Sequence, residues 1–137
     1  GLEAFLARTD ILVSLLPLTA ETRGILAMPL FLKLARDGAL GGPVLINAGR
    51  GGSQVEADIV AALERGVLVG ASLDVFEHEP LDVGSALWAR KDVIITPHVA
   101  AASPRIAERH LETLLENIRR FVRGEPPATL VDKRKWY

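Results

Sequence analysis

Val44-Leu45-Ile46-Asn47-Ala48-Gly49-Arg50-Gly51-Gly52-Ser53-Gln54-Val55-Glu56 decides the fold. Val44 to Asn47 is a short apolar run with no polar alternation. That pattern reads as a strand. Ala48 to Gly52 is a glycine-rich loop. Ser53, with Glu56 three residues on, predicts a capping box that opens a helix. Ile59, Val60 and Leu63 give that helix an apolar stripe, and Gly66 suits the residue just past its end.

The alternation continues outward on both sides. Upstream, residues 2–8 read as the end of a helix. Ile11-Leu12-Val13-Ser14-Leu15-Leu16, stopped by Pro17, reads as a buried strand, since a half-exposed strand would alternate, and Thr19 to Arg23 reads as a polar turn. Met28 to Ala35 is a short helix, broken by Gly38, Gly41, Gly42 and Pro43. Downstream, Val67 to Val75 is a third strand, and Phe76 to Asp92 an acidic, proline-bearing loop. Val93-Ile94-Ile95-Thr96 is a fourth strand, ended by Pro97. Ser103-Pro104 predicts an N-cap and first helical residue. The long helix that follows carries Leu111, Leu114, Leu115, Ile118, Phe121 and Val122 at helical spacing, and ends at Gly124. Short apolar strands alternating with helices predict an α/β fold on a parallel sheet.

Composition narrows the function classes. The 137 residues make one compact domain, and 49% hydrophobic with 24% charged residues is an ordinary globular balance that argues against global disorder. A net charge of −1 gives no basic surplus for nucleic acid. The basic cluster Lys133-Arg134-Lys135 is short and reads as a solvated tail. With no cysteine there is no disulfide framework, thiolate metal site or cysteine nucleophile, which fits a cytoplasmic enzyme. No apolar run approaches the roughly 18 residues that span a bilayer. The start lacks a signal-peptide pattern and an initiator Met and opens in helix, so the sequence reads as part of a longer parent.

Ligands of open parallel sheets bind beyond the carboxyl ends of the strands. Those ends here are Pro17 to Thr22, Ala48 to Gly52, Asp74 to Pro80 and His98 to Ala101. They gather Thr19, Arg50, Asp74, Glu79 and His98 on one edge. Arg50 offers a planar fork for a carboxylate. His98 can supply a proton near neutral pH. A neighbouring carboxylate would favour its charged form, and both Glu77 and Glu79 are candidates. The set suits an anionic carbonyl substrate receiving hydride from a nicotinamide. Taken singly, each residue has a blander reading as a solvated loop residue; their joint placement after successive strands carries the functional one. His78, between two acids, and His110, on the last helix, lack partners at metal-ligand spacing, so no metal site is expected. Gly49-Arg50-Gly51 imitates a dinucleotide fingerprint, but Gln54 stands where the third glycine belongs.

Four segments in order carry a resemblance: Leu16-Pro17-Leu18-Thr19, Ile46-Asn47-Ala48-Gly49-Arg50-Gly51, Leu73-Asp74-Val75-Phe76-Glu77-His78-Glu79-Pro80 and Thr96-Pro97-His98-Val99-Ala100. The chain resembles the C-terminal part of D-isomer-specific 2-hydroxyacid dehydrogenases. Within them it is most similar to glyoxylate/hydroxypyruvate reductases of the bacterial A type. The resemblance implies the second half of a Rossmann NAD(P)-binding domain over residues 1–102. It implies a long helix and tail over 103–137 that packs back toward a substrate domain.

The resemblance also implies roles. Arg50 would bind the substrate carboxylate and carbonyl, and His98 would be the acid/base. The acid just before Pro80 would pair with it, which selects Glu79 over Glu77. Leu16, Pro17, Leu18, Thr22, Ala48, Gly49, Arg50, Asp74, His98, Ala100 and Ala101 would line the NAD or NADP site. Formate dehydrogenases of the superfamily carry Gln where this chain has Glu79, which argues against formate. The implied activity is reduction of a small 2-keto acid, glyoxylate or hydroxypyruvate, by a homodimeric parent. The alternatives are a nucleotide-sensing corepressor-type module and an inactive fragment. Departures such as Gly49, Ala101 and the terminal Lys135-Trp136-Tyr137 remove no catalytic group. The phosphate-binding glycine motif and the residue that selects NAD or NADP would lie upstream of Gly1.

Overall fold

The computed structural model describes residues 1–134. It separates into two units, one of residues 1–100 and one beginning at Ala101. In the first, α1 (Leu2–Leu6), β1 (Ile11–Ser14), α2 (Met28–Phe31), β2 (Val44–Asn47), α3 (Glu56–Glu64), β3 (Gly70–Leu73) and β4 (Val93–Ile95) follow in chain order. The strands form one sheet in the order β1-β2-β3-β4, every pair parallel. The fold is α/β and Rossmann-like. Short 3-10 turns occupy Gly51–Ser53 and Ala86–Ala89.

The register explains which residues meet the core. Leu12, Leu45, Ala71 and Val93 form one row across the sheet; Ser14, Asn47, Leu73 and Ile95 form another on the same face. That face packs with Phe31, Ile59, Ala62, Leu63 and Leu87, all fully or nearly fully buried. The expectation that the Ile11 run forms a buried strand is not met, since β1 alternates exposed and buried residues. Ile11, Val13 and Ile94 point to the other face and are exposed. Parallel neighbours need crossovers of one hand, and successive crossovers in one direction lay their helices on one side of the sheet.

Several element limits differ from the sequence reading, each for a local reason. β1 stops at Ser14 rather than Leu16, because its partner β2 ends at Asn47, opposite Ser14. β3 begins at Gly70 because the amides of Val67 and Leu68 both donate to the Ala62 carbonyl, closing the end of α3. α2 ends at Phe31, and Ala35 already donates to Thr9. β4 ends at Ile95, one residue early.

The capping box at Ser53 is also corrected. Ser53 Oγ donates to the Arg50 carbonyl at 2.6 Å, and Val55 takes the N-cap position. The first amide of α3, that of Glu56, donates to Glu77 Oε1 at 2.6 Å, and the Glu77 amide donates to Glu56 Oε1 at 2.7 Å. The reciprocal logic of a capping box is thus kept, with its two halves 21 residues apart.

In the second unit, α4 (Ile106–Val122) starts later than Ser103-Pro104 predicted. Ser103 instead closes a turn, its Oγ accepting from Arg105 at 3.3 Å and its carbonyl from Ile106 at 3.1 Å. Leu111, Leu114, Leu115, Ile118, Phe121 and Val122 are all exposed. The following segment folds back on α4, where Asn117 accepts from the Ala128 amide at 2.8 Å and donates to Thr129 at 3.0 Å. No helix among the described residues is long and apolar enough to cross a membrane.

Candidate active site

His98 lies three residues past the end of β4 and takes a left-handed φ of 54°. A residue with a Cβ adopts that region only when its surroundings hold it there. Asp74, just after β3, supplies the hold. Its carbonyl accepts the His98 amide at 2.8 Å, and its carboxylate accepts Val99 at 2.9 Å, Ala100 at 2.8 Å and the Thr96 hydroxyl. Burial works to raise the Asp74 carboxyl. The bonds from Thr96, Ala100 and Val99 overcome it and hold the group below the usual carboxylate range.

The imidazole that this turn presents is paired. His98 Nδ1 lies 2.8 Å from Glu79 Oε2, and Glu79 Oε1 accepts the Phe76 amide at 3.0 Å. The bond to His98 and then that from Phe76 lower the Glu79 carboxyl below its ordinary value. Glu77 points elsewhere, capping α3. Among the described residues no group of three or more metal-ligating side chains assembles. A cavity of about 400 Å³ opens beside the pair, walled by Phe76, Leu81, Trp88 and Pro97.

Arg50 follows the neighbouring β2. Its side chain is exposed, with Nη1 donating to the Gly49 carbonyl at 2.7 Å. The loop around it is fixed by close backbone approach. A Cβ on Gly49 would stand 2.8 Å from the Leu16 carbonyl, and one on Gly51 would stand 1.7 Å from the Phe76 carbonyl. Glycine at these two positions lets the Arg50 loop press against the Leu16 and Phe76 segments at once.

The remaining residues singled out in the sequence fall as follows. Leu16 and Pro17 are exposed, Leu18 half-buried and Ala48 half-buried. Thr22 closes the turn after β1. Its Oγ1 accepts from Thr19 at 2.8 Å and donates to the Pro17 carbonyl at 2.6 Å. Ala100 is exposed at the end of the first unit, and Ala101 opens the second. Sequence reasoning missed Gln54, Asn47 and Thr96. Gln54 and Asn47 are buried and bonded to one another at 2.8 Å. The signal available was a polar residue at each end of a glycine-rich loop; nothing in spacing revealed that they meet.

Residues 1–100 match the family model described as "D-isomer specific 2-hydroxyacid dehydrogenase, NAD binding domain". Glyoxylate/hydroxypyruvate reductase A of Photorhabdus laumondii is 42% identical over 134 residues, covering 97% of this chain and 40% of that protein. Among solved structures, an NADPH-dependent glyoxylate/hydroxypyruvate reductase from Sinorhizobium meliloti, in complex with NADP and sulfate, is 55% identical. It superposes with a TM-score of 0.91 over all of this chain and 43% of its own. A probable 2-hydroxyacid dehydrogenase from Rhizobium etli, in complex with NADP, HEPES and L(+)-tartaric acid, gives 55% identity and a TM-score of 0.89 over 99% of this chain and 42% of its own. The chain thus spans about two fifths of the length of the curated relatives it matches. With the family model matched over residues 1–100, the chain belongs to the D-isomer-specific 2-hydroxyacid dehydrogenase family.

Proposed function

We propose that the full-length protein reduces small 2-keto acids, glyoxylate and hydroxypyruvate, with NADPH or NADH. The observation that carries this reading is the Glu79–His98 pair at 2.8 Å on the carboxyl edge of a parallel sheet, with the Arg50 guanidinium exposed after the adjacent strand β2. The Sinorhizobium and Photorhabdus relatives are named for the same two substrates.

Each residue has a role. Arg50 holds the keto acid's carboxylate through paired hydrogen bonds and draws charge toward the carbonyl oxygen. His98 delivers a proton to that oxygen as it becomes a hydroxyl. Glu79 fixes the ring through Nδ1, leaving Nε2 to face substrate, and balances the imidazolium charge. A nicotinamide cofactor, when bound beside these residues, would supply the hydride.

The residues present suit the nicotinamide end of NAD(P). Leu16, Leu18, Ala48, Gly49, Asp74, Ala100 and Ala101 are the proposed lining, with Pro17, Thr22, Arg50 and His98. Leu16 offers exposed apolar surface, and the Gly49 contact holds the Leu16 backbone beside the Arg50 loop. No G-x-G-x-x-G occurs in the chain, so the diphosphate is assigned to residues outside it. Residues 1–102 are assigned to the cofactor domain. Residues 103–137 are assigned to packing toward the substrate domain, for which the exposed apolar side chains of α4 provide the surface. The proposed enzyme works in the cytoplasm as a homodimer, a location with which the cysteine-free composition accords.

The test is a steady-state assay of the full-length protein with glyoxylate and hydroxypyruvate against both reduced cofactors. Saturable cofactor oxidation is expected. Absence of turnover with every pairing would refute the reading.

A further inference from the structure

Gln54 is 2% exposed, yet it is polar and both ends of its amide are engaged. Oε1 accepts from Asn47 Nδ2 at 2.8 Å, and Nε2 donates to the Val75 carbonyl at 3.0 Å. Asn47, 0% exposed, in turn accepts the Gly49 amide on Oδ1 at 3.1 Å. The three bonds form one buried relay from the Gly49 amide through Asn47 and Gln54 to the Val75 carbonyl.

The relay has only one self-consistent direction. A backbone amide can only donate, so Asn47 must turn its oxygen to Gly49 and its NH2 to Gln54. Gln54 must then offer oxygen to Asn47, which leaves its NH2 for a carbonyl that can only accept. Reversing either side-chain amide would set donor against donor or acceptor against acceptor.

Its two ends matter. Gly49 is the residue before Arg50. Val75 is the residue before Phe76, whose amide holds Glu79. Apolar contacts across this gap would fill volume without fixing direction, whereas buried hydrogen bonds specify both length and angle. The Glu56–Glu77 pair joins the exposed start of α3, beyond the Arg50 loop, to the Glu77 backbone. Gln54 ties the Arg50 loop to the Phe76 segment on the buried side.

We propose that Gln54 is a positioning residue. By joining Asn47 to Val75 it fixes the spacing between the Arg50 loop and the segment that carries Glu79, so that one substrate can meet both Arg50 and His98. The catalytic part of this inference rests on the function proposed above; the relay itself does not.

Gln54→Met in the full-length protein keeps the side chain's length and removes the relay. We expect KM for hydroxypyruvate to rise on the order of tenfold or more, as a displaced orienting group requires. Amide exchange at Gly49 and Phe76 should quicken by about tenfold or more relative to the unsubstituted protein.

Gln54→Glu provides a second readout that loss of stability alone would not move. A buried carboxyl favours its neutral form, which can accept from Asn47 and donate to Val75 as the amide does. Its kcat/KM relative to the unsubstituted protein should therefore climb as pH falls from about 8.5 to about 6. A Met variant with KM and Gly49 exchange within about twofold of the unsubstituted protein overturns the proposal. If the Met variant does not fold, a flat pH ratio for the Glu variant overturns it instead. If the unsubstituted protein reduces no keto acid, the functional reading fails, and Gly49 and Phe76 exchange in the Met variant alone decides the relay.

Discussion

Glu79 divides its two carboxylate oxygens between His98 Nδ1, at 2.8 Å, and the backbone amide of Phe76, at 3.0 Å. The second bond anchors the acid to its own loop, so the first can orient the ring rather than follow it. Glu77, two residues earlier, spends its carboxylate on the first amide of α3 at 2.6 Å. Two neighbouring acids thus have different jobs, and substitution should separate them.

Glu77→Ala is expected to cost about 1 kcal/mol of stability, the usual scale for losing a helix cap, and to leave turnover unchanged. Glu79→Gln is expected to lower kcat by on the order of tenfold or more, because a neutral amide no longer balances the imidazolium charge. Thermal melts and steady-state kinetics on the two full-length variants check both halves. Equal loss of turnover in the two would contradict the division of labour.

The Glu79 carboxyl also sets a pH dependence of stability. Its pKa is lowered from the ordinary 4.5 in the folded protein, first by the His98 bond and then by the Phe76 amide. The unfolded chain therefore binds the proton more readily. The contribution is complete above 4.5 and fades as pH falls through the lower folded value. Melting temperatures of the unsubstituted protein and of Glu79→Gln should differ near neutral pH and converge in strong acid. A gap that widened toward low pH would reverse the assigned sign.

His98→Ala in the full-length protein is expected to reduce turnover at least roughly a hundredfold, the scale for removing a general acid. Substrate binding should suffer less, since Arg50 remains. Near-normal turnover would remove His98 from the mechanism.

Much of this site was legible because strand ends are legible. Apolar runs at Ile11, Val44, Val67 and Val93 placed Arg50, Asp74, Glu79 and His98 after successive strands, and the parallel sheet aligns those ends. Burial of the Ile11 strand on both faces was misread, because an apolar run records only that a face is apolar and not what covers it. The choice between Glu77 and Glu79 was not available from spacing either. It depends on the Glu56 amide lying within reach of Glu77, a contact across 21 residues. Gln54 hid for the same reason: its partners come from β2 and from the segment just past β3, and no local pattern links them.

Gly51 offers the sharpest steric test. Its backbone lies so close to Phe76 that a Cβ would come within 1.7 Å of the Phe76 carbonyl oxygen and 2.0 Å of its carbon. Both neighbours are backbone, so no side-chain rotation can relieve the clash. Gly51→Ala must push the Arg50 loop away from the segment carrying Glu79. Overpacking of this kind costs about 1–3 kcal/mol. The displacement should also weaken keto-acid binding, because Arg50 moves with the loop. Gly66 provides the contrast: an added Cβ there meets nothing within 4 Å, but the φ of 63° strains a side chain. Gly66→Ala should therefore cost stability, on the scale of about 1 kcal/mol, with KM for hydroxypyruvate unchanged. Denaturant unfolding paired with KM measurements would separate the two. If both variants lost stability alone, the Gly51–Phe76 contact would be structural and would not govern where Arg50 stands.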